Sequence, residues 1–179
     1  MRLILVRHPQ PIVAPGICYG SSDLPADAHA LEQTLLALAS LPADAPVYSS
    51  PLQRCAALAR RLPCAALRFD ERLAEMHFGA WEMQAWDAIP RAEIDAWAAD
   101  LVHYRPGGGE TVLEVATRVA AFHTALQRQP HTEALMICHA GTIRLLMACH
   151  AGLAPAAAAL RAASKPHSIA YGETIILDS

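Results

Sequence analysis

The stretch LILVRHPQP, residues 3–11, decides how the rest of the chain is interpreted. Its four leading apolar residues do not alternate with polar ones, which is typical of a strand buried on both faces of a parallel sheet. The strand runs directly into Arg7 and His8. Pro9 and Pro11 then prevent regular structure from continuing. The sequence therefore predicts a buried strand whose carboxyl end presents a cation and an imidazole.

The same order of short strand, polar residues and helix recurs twice along the chain. PVYSSPLQRC predicts a strand at 46–49, a serine placed to cap a helix, and Arg54 on the first helical turn. EALMICHAG, residues 133–141, predicts another buried strand, which ends at His139 and turns into a helix at Gly141. Because the carboxyl ends of parallel strands lie at one edge of an open sheet, these polar residues can face a common crevice.

The intervals between these strands carry helical patterns and weaker strand signals. We expect helices around 31–38, 91–101, 111–126 and 154–163, a weak strand at 67–70, and one strand or an edge hairpin within 168–177. Alternating strands and helices of this kind predict an α/β fold, specifically a three-layer α/β/α sandwich with a mostly parallel central sheet. The length suits one domain covering residues 1–179.

Composition limits the classes of function. The chain has 14 basic and 17 acidic residues in no dense run, so we expect neither nucleic acid nor a membrane as partner. Its five cysteines form no C-x-x-C pair and its N-terminus shows no signal peptide, which indicates a reduced, cytoplasmic protein. The nine histidines lack metal-ligand spacing, so we expect no metal and no other cofactor. Monomer and homodimer both remain open.

Two guanidinium groups and two imidazoles at one sheet edge indicate an anionic ligand. Guanidinium matches a phosphoryl group with paired donors, and each charge-assisted hydrogen bond contributes roughly 1.5–3 kcal/mol. The helix N-terminus that follows His139 adds free backbone N–H groups. Neutral His8 is a competent nucleophile if its other ring nitrogen donates to a fixed acceptor, which we expect to be a backbone carbonyl within 9–16.

Five segments carry a resemblance to a known family. They are LVRH at 5–8, SSPLQRC at 49–55, LAEMHFGAWE at 73–82, GGGET at 107–111 and CHAG at 138–141. In order and spacing they resemble the histidine phosphatase superfamily, also called phosphoglycerate mutase-like. The chain length and the segment GICYGSSDLP are most similar to its alpha-ribazole phosphatases, which act in cobalamin biosynthesis.

The resemblance implies a phosphoglycerate mutase-like fold and a metal-independent phosphatase that forms a phosphohistidine. It implies that His8 is the nucleophile, that His139 is a further catalytic residue, and that Glu75 donates the proton to the leaving group. Glu82 is the second candidate for that proton donor. General acid catalysis of this kind contributes about 10²- to 10⁴-fold in rate.

The resemblance also implies which residues bind the substrate, a small-molecule phosphomonoester. Together with His139, the phosphate-binding residues are Arg7, Arg54 and Ala140, and the residues expected on the substrate side are Gln10, Tyr19 and Gly20. The chain departs from the family pattern after its nucleophile. Most relatives have Gly, an acidic or amide residue, and Thr there, whereas this chain has Pro, Gln and Pro.

Several alternatives remain open at this point. Cys138 and Arg144 have the C-x5-R spacing of cysteine-based phosphatases, which would make the thiolate the nucleophile. Within the superfamily, the chain could be a broad-specificity phosphatase, a protein phosphohistidine phosphatase or a phosphoglycerate mutase, although its short length favours hydrolysis over mutase activity. A phospho-ligand binding protein without turnover is the alternative outside enzymes.

Overall fold

A central sheet of five strands organises the described part of the chain, which is residues 1–164, 166 and 168–178 of a computed structural model. The strands are β1 (Arg2–Arg7), β2 (Val47–Ser49), β3 (Leu67–Phe69), β4 (Glu133–Cys138) and β5 (Thr174–Leu177). Their order across the sheet is β3-β2-β4-β1-β5, and only β5 runs antiparallel to its neighbour. The predicted, mostly parallel sheet is confirmed.

Helices connect the strands. They are α1 (Ala28–Ala37), α2 (Gln53–Ala59), α3 (Arg91–Ala99), α4 (Val112–Gln127), α5 (Ala140–His150) and α6 (Pro155–Ala163). Between β3 and α4 the chain also forms short 3-10 turns at Glu71–Leu73, Gly79–Trp81, Trp86–Ala88 and Pro106–Gly108. Residues 71–82, ERLAEMHFGAWE, show no sustained apolar period, and two of these turns lie within them.

Helices cover both faces of the sheet. Successive side chains of a strand point to opposite faces, so each central strand contributes to both cores. On β1, Leu3 and Leu5 join the core cluster that includes α4, α5 and α6. Ile4 and Val6 join the opposite cluster, which contains residues of α1 and α2. The predicted three-layer α/β/α sandwich is therefore confirmed, and it leaves the carboxyl ends of β1 and β4 side by side.

Helix α4 begins with a capping box formed by Thr111 and Glu114. The Thr111 hydroxyl oxygen accepts a hydrogen bond from the Glu114 backbone N–H at 3.0 Å, and the Glu114 carboxylate accepts one from the Thr111 backbone N–H at 2.8 Å. Each side chain thus satisfies an N–H group that a helix start leaves without an intrahelical partner. This cap fixes where the chain leaves the 3-10 turns that precede it.

Two local expectations were wrong by small amounts. Helix α2 begins at Gln53, and the carboxylate of Asp23 accepts a hydrogen bond from its backbone N–H at 2.6 Å, so a distant side chain rather than the nearby serine caps this helix. Helix α5 begins at Ala140, one residue before the predicted turn. Of the single strand or edge hairpin expected within 168–177, the structure shows the single strand β5, and the backbone of Gly172 and Glu173 binds the end of β1.

Candidate active site

A cavity of about 520 Å³ opens at the carboxyl ends of β1 and β4. The predicted site residues that line it are Arg7, His8, Tyr19, Gly20, Glu75, His139 and Ala140. Arg54 lies behind the cavity surface, and Gln10 is exposed and does not line the cavity. The strand-end residues therefore meet at one place, as the sequence predicted.

His8 is buried and held as the neutral imidazole. Its Nδ1 lies 2.7 Å from the Pro9 carbonyl oxygen, which can only accept, so Nδ1 carries the proton and Nε2 carries the lone pair. The predicted acceptor within the 9–16 loop is thus Pro9. Burial lowers the pKa of His8 to about 3, and the positive charges of Arg54 and Arg7 lower it as well. The hydrogen bond to Pro9 acts in the opposite direction and does not offset them. His8 has the protonation state that a nucleophile needs.

His139 lies beside His8, with 5.0 Å between the ring centroids. It is fully buried as the N-cap residue of α5, and its Nε2 lies 2.9 Å from the Ser50 hydroxyl oxygen. Burial, followed by the neighbouring charges, holds the pKa of His139 well below its usual range. Two neutral imidazoles therefore stand next to each other at the strand ends.

Arg54 is fully buried, although the sequence suggested that its side chain faces the crevice. Its Nη1 donates to the Ser22 carbonyl at 2.6 Å, and its Nη2 donates to the Gly20 carbonyl at 2.6 Å. The loop at 20–22 folds over the guanidinium, which explains the difference. Arg54 consequently both fixes this loop and lowers the pKa of His8 by its charge.

Buried nitrogen atoms around His8 lack protein partners. Among the described residues, Arg7 Nε, Arg54 Nε and His139 Nδ1 are inaccessible to solvent and have no hydrogen-bond partner. Buried polar atoms in native proteins almost always have partners, so unsatisfied ones call for an explanation. An anion bound against His8 would supply acceptors for the guanidinium N–H groups.

Glu75 lies on the cavity wall next to the N-terminus of α5. Its carboxylate accepts hydrogen bonds from the backbone N–H groups of Met76 at 3.0 Å and Gly141 at 3.2 Å. A Cβ at Gly141 would lie 2.6 Å from the Glu75 carboxylate. The glycine of the HAG motif therefore makes room for this acid, a constraint that sequence reasoning missed.

Glu82, the second candidate for the proton donor, has a different place. Its carboxylate accepts hydrogen bonds from the backbone N–H and hydroxyl of Ser21 and the backbone N–H of Phe78, each at 2.9 Å, and from the Ser22 hydroxyl. Burial opposes ionisation, but these donors hold the pKa of Glu82 below its usual range. An ionised carboxylate with four donors anchors the 20–22 loop and is poorly suited to give up a proton.

Gly20 shows why this loop carries a glycine. Its φ of +32° lies in the left-handed region, and a Cβ there would lie 2.5 Å from the Met76 carbonyl oxygen and 2.5 Å from the Phe78 ring. Only glycine fits so close to backbone. The backbone of Gly20 therefore forms part of the cavity wall beside the side chain of Tyr19.

Two aromatic features near His8 and in the cavity were not predicted. Tyr171 packs against the carboxyl end of β1, with 5.5 Å between its ring centroid and that of His8. An aromatic wall made of Phe78, Trp86 and Trp97 lines part of the cavity. The available signal was that all three tryptophans of the chain fall within residues 81–97.

The cysteine-phosphatase alternative does not fit this geometry. Cys138 is fully buried within β4 and is absent from the cavity lining. Burial raises the pKa of its thiol well above the ordinary value, so the thiol stays protonated. A nucleophilic cysteine needs an accessible thiolate, which this residue does not provide.

Residues 1–164, 166 and 168–178 contain no group of three or more His, Cys, Asp or Glu side chains placed to hold a metal ion. None of their helices is both long and apolar enough to cross a membrane.

Comparison with known proteins agrees with this site. The family model of the histidine phosphatase superfamily, branch 1, matches residues 3–171. No curated protein matches the chain. The matched range includes Arg7, His8, Glu75 and His139 and the three residues of the aromatic wall.

Solved structures of similar fold include two named phosphatases. The alpha-ribazole phosphatase of Shigella flexneri is 28% identical, covering 99% of this chain and 90% of its own, with a TM-score of 0.78. A mycobacterial glucosyl-3-phosphoglycerate phosphatase is 26% identical, covering 88% and 82%, with a TM-score of 0.70. A Thermus thermophilus protein is 26% identical, covering 99% and 94%, with a TM-score of 0.74.

Proposed function

The chain belongs to the histidine phosphatase superfamily and is a phosphatase, and we propose that it hydrolyses a small-molecule phosphomonoester through a phosphohistidine on His8. The observation that carries this proposal is the environment of His8. The imidazole is neutral, its Nδ1 is fixed by Pro9, and buried nitrogens without protein partners surround it. This combination suits a nucleophile that faces a phosphoryl group.

The reaction has two steps in which bonds and protons balance. His8 Nε2 attacks phosphorus while the bond from phosphorus to the alcohol oxygen breaks, and Glu75 gives that oxygen a proton. Water then attacks the phosphohistidine, Glu75 takes a proton from it, and His8 is restored as inorganic phosphate forms. Glu75 suits both steps because it lies on the cavity wall with its carboxylate oriented by backbone N–H groups.

Positive charge and N–H donors stabilise the phosphoryl oxygens. Phosphoryl transfer spreads charge over the equatorial oxygens, so catalysis depends mostly on positioning and electrostatics. Arg7 and Arg54 supply guanidinium groups beside His8, and the backbone N–H of Ala140 opens the 11-residue helix α5. These groups provide the charge without a metal ion, so we expect activity to survive a chelator.

The aromatic wall favours a substrate whose alcohol part carries a flat aromatic group. Trp86 and Trp97 have nearly parallel rings, inclined by 10°, and Phe78 meets both edge-on. Trp86 lines the cavity and is 38% exposed, so its ring is accessible to a bound substrate. Alpha-ribazole 5'-phosphate, which carries a benzimidazole base, meets this requirement, and one similar structure is an alpha-ribazole phosphatase.

A phosphorylated sugar acid is the second candidate. Arg144 lines the same cavity and could pair with a substrate carboxylate. Another similar structure is a glucosyl-3-phosphoglycerate phosphatase. The apolar aromatic wall gives such a polar substrate fewer contacts, which places it second.

The test is phosphate release from a panel of esters by wild type, His8→Ala and His29→Ala. The panel contains alpha-ribazole 5'-phosphate, glucosyl-3-phosphoglycerate, 3-phosphoglycerate, a nucleoside monophosphate and a phosphohistidine protein. His29 is exposed on α1, so its variant should match wild type. Preference for the aromatic ester, lost only in His8→Ala, supports the proposal. Preference for the sugar acid supports the second candidate, and phosphate binding without turnover would indicate a binding protein.

A further inference from the structure

The turn at residues 169–173 lies across the end of β1 and contacts Arg7 from several directions. The Arg7 backbone N–H donates to the Glu173 carbonyl at 3.0 Å, and the Gly172 N–H donates to the Arg7 carbonyl at 3.1 Å. The Arg7 side chain donates through Nη1 to the Ile169 carbonyl. The guanidinium carbon lies 3.9 Å from the centre of the Tyr171 ring. One short turn thus holds both the backbone and the side chain of Arg7.

These contacts restrict the plane of the Arg7 guanidinium. A free arginine side chain samples many rotamers, and the binding of an anion would otherwise have to overcome that entropy. Stacking on an aromatic ring fixes the plane, and the Nη1 hydrogen bond fixes the rotation within it. Arg7 Nε, which is buried and has no hydrogen-bond partner among the described residues, is thereby held in place.

Tyr171 is hydrogen-bonded to Tyr19, whose ring lies near the guanidinium group of Arg54. The two hydroxyl groups of Tyr171 and Tyr19 are 2.9 Å apart and hydrogen-bonded. The Tyr19 ring centre lies 5.2 Å from the guanidinium carbon of Arg54. The pair therefore connects the 20–22 side of the cavity to the 169–173 turn, across the phosphate-binding residues.

Tyr171 makes three contacts with residues of the site. Its ring packs against the Arg7 guanidinium and the His8 ring, and its hydroxyl group is hydrogen-bonded to that of Tyr19. The residue nevertheless stays 40% exposed. These contacts indicate a role in the site.

We propose that Tyr171 is a positioning residue, whose ring holds the Arg7 guanidinium in the orientation that binds the phosphoryl group. This inference rests on the proposed function, because it concerns the same phosphoryl site. The ring carries the effect, and the hydroxyl link to Tyr19 adds to it. Loss of the ring should weaken the binding of phosphate itself, whatever alcohol the substrate carries.

The test measures the affinity of inorganic phosphate and orthovanadate for wild type, Tyr171→Ala, Tyr171→Phe and Phe69→Ala. Phe69 is a matched control, because its ring is 42% exposed and lies over a different arginine, Arg60, on the far edge strand β3. Tyr171→Ala should weaken phosphate binding about 5- to 30-fold, because part of the rotamer entropy of the Arg7 side chain would then be lost on binding. Tyr171→Phe keeps the ring and should stay within about threefold of wild type. Phe69→Ala should not change phosphate affinity.

A double-mutant cycle with Arg7→Lys tests whether Tyr171 acts through Arg7. Lysine keeps the charge but has no planar face to stack on the ring. In the Arg7→Lys background, Tyr171→Ala should therefore weaken phosphate binding less than about twofold. An equal loss in both backgrounds would overturn the proposal. Unchanged phosphate affinity in Tyr171→Ala would also overturn the proposal. So would a loss of phosphate affinity that is fully accounted for by a lower midpoint of urea unfolding.

The same measurements separate this inference from the proposed function. Wild type that neither binds phosphate nor hydrolyses any ester contradicts the proposed function, and the positioning role falls with it. Wild type that does both, while Tyr171→Ala binds phosphate equally well, contradicts the positioning role alone.

Discussion

His8 and His139 form a pair of buried imidazoles with 5.0 Å between their ring centroids, and both have lowered pKa values. Two positive charges at this distance, out of water and beside two arginines, would repel one another strongly. The neutral state of the pair is therefore a property of the folded protein. It allows His8 to act as a nucleophile at neutral pH and makes the fold sensitive to acid.

The protonation state of His8 can be observed directly. With its pKa lowered to about 3, His8 should remain the neutral Nδ1–H tautomer from pH 7 down to about pH 4.5. Imidazole ¹⁵N chemical shifts, assigned by the signals lost in His8→Gln, measure this. Titration of the assigned ring near pH 6.5 would show that burial and the arginines do not control this imidazole.

Acid should destabilise the protein well above the pH at which carboxylates titrate. Between pH 6.5 and about 3 the unfolded chain binds a proton at His8 that the folded protein does not, so stability falls as pH falls. Each such histidine lowers the free energy of unfolding by about 1.4 kcal/mol per pH unit. Urea unfolding at several pH values from 6.5 to 5 measures the slope, and His8→Gln should reduce it. A slope of zero in wild type would refute the linkage.

Arg54→Ala should impair folding as well as phosphate binding. The sequence suggested a crevice-facing side chain, but Arg54 is fully buried and donates to the Ser22 and Gly20 carbonyls. Removing it leaves these carbonyls without a partner and opens a cavity, at a cost of about 2–4 kcal/mol. Urea unfolding and phosphate affinity measure the two effects. A variant as stable as wild type would mean that the 20–22 loop does not depend on this guanidinium.

The sequence allowed the sheet and the strand-end residues to be predicted because both are local signals. An apolar run that ends in Arg7 and His8 shows its burial and its polar end within one short stretch. Contacts between distant segments leave no such pattern. Asp23 caps α2 from 30 residues away, and the 169–173 turn meets Arg7 from the far end of the chain.

Glu75 and Glu82 lie only seven positions apart, and their roles can be separated by the leaving group of the substrate. If Glu75 protonates the departing alcohol, Glu75→Gln should slow hydrolysis of an alkyl phosphate about 10²- to 10⁴-fold. It should slow the first step much less for a dinitrophenyl ester, whose leaving group needs no proton. Burst kinetics measure that first step, because dinitrophenolate is released when the phosphohistidine forms.

Glu82→Gln is the matched control for this comparison. Glu82 accepts hydrogen bonds from Ser21, Ser22 and Phe78, so its replacement should disturb the 20–22 loop and affect both esters by a similar factor. A leaving-group dependence in Glu82→Gln, together with its absence in Glu75→Gln, would transfer the proton-donor role to Glu82. Equal effects on both esters in both variants would mean that neither carboxylate protonates the leaving group.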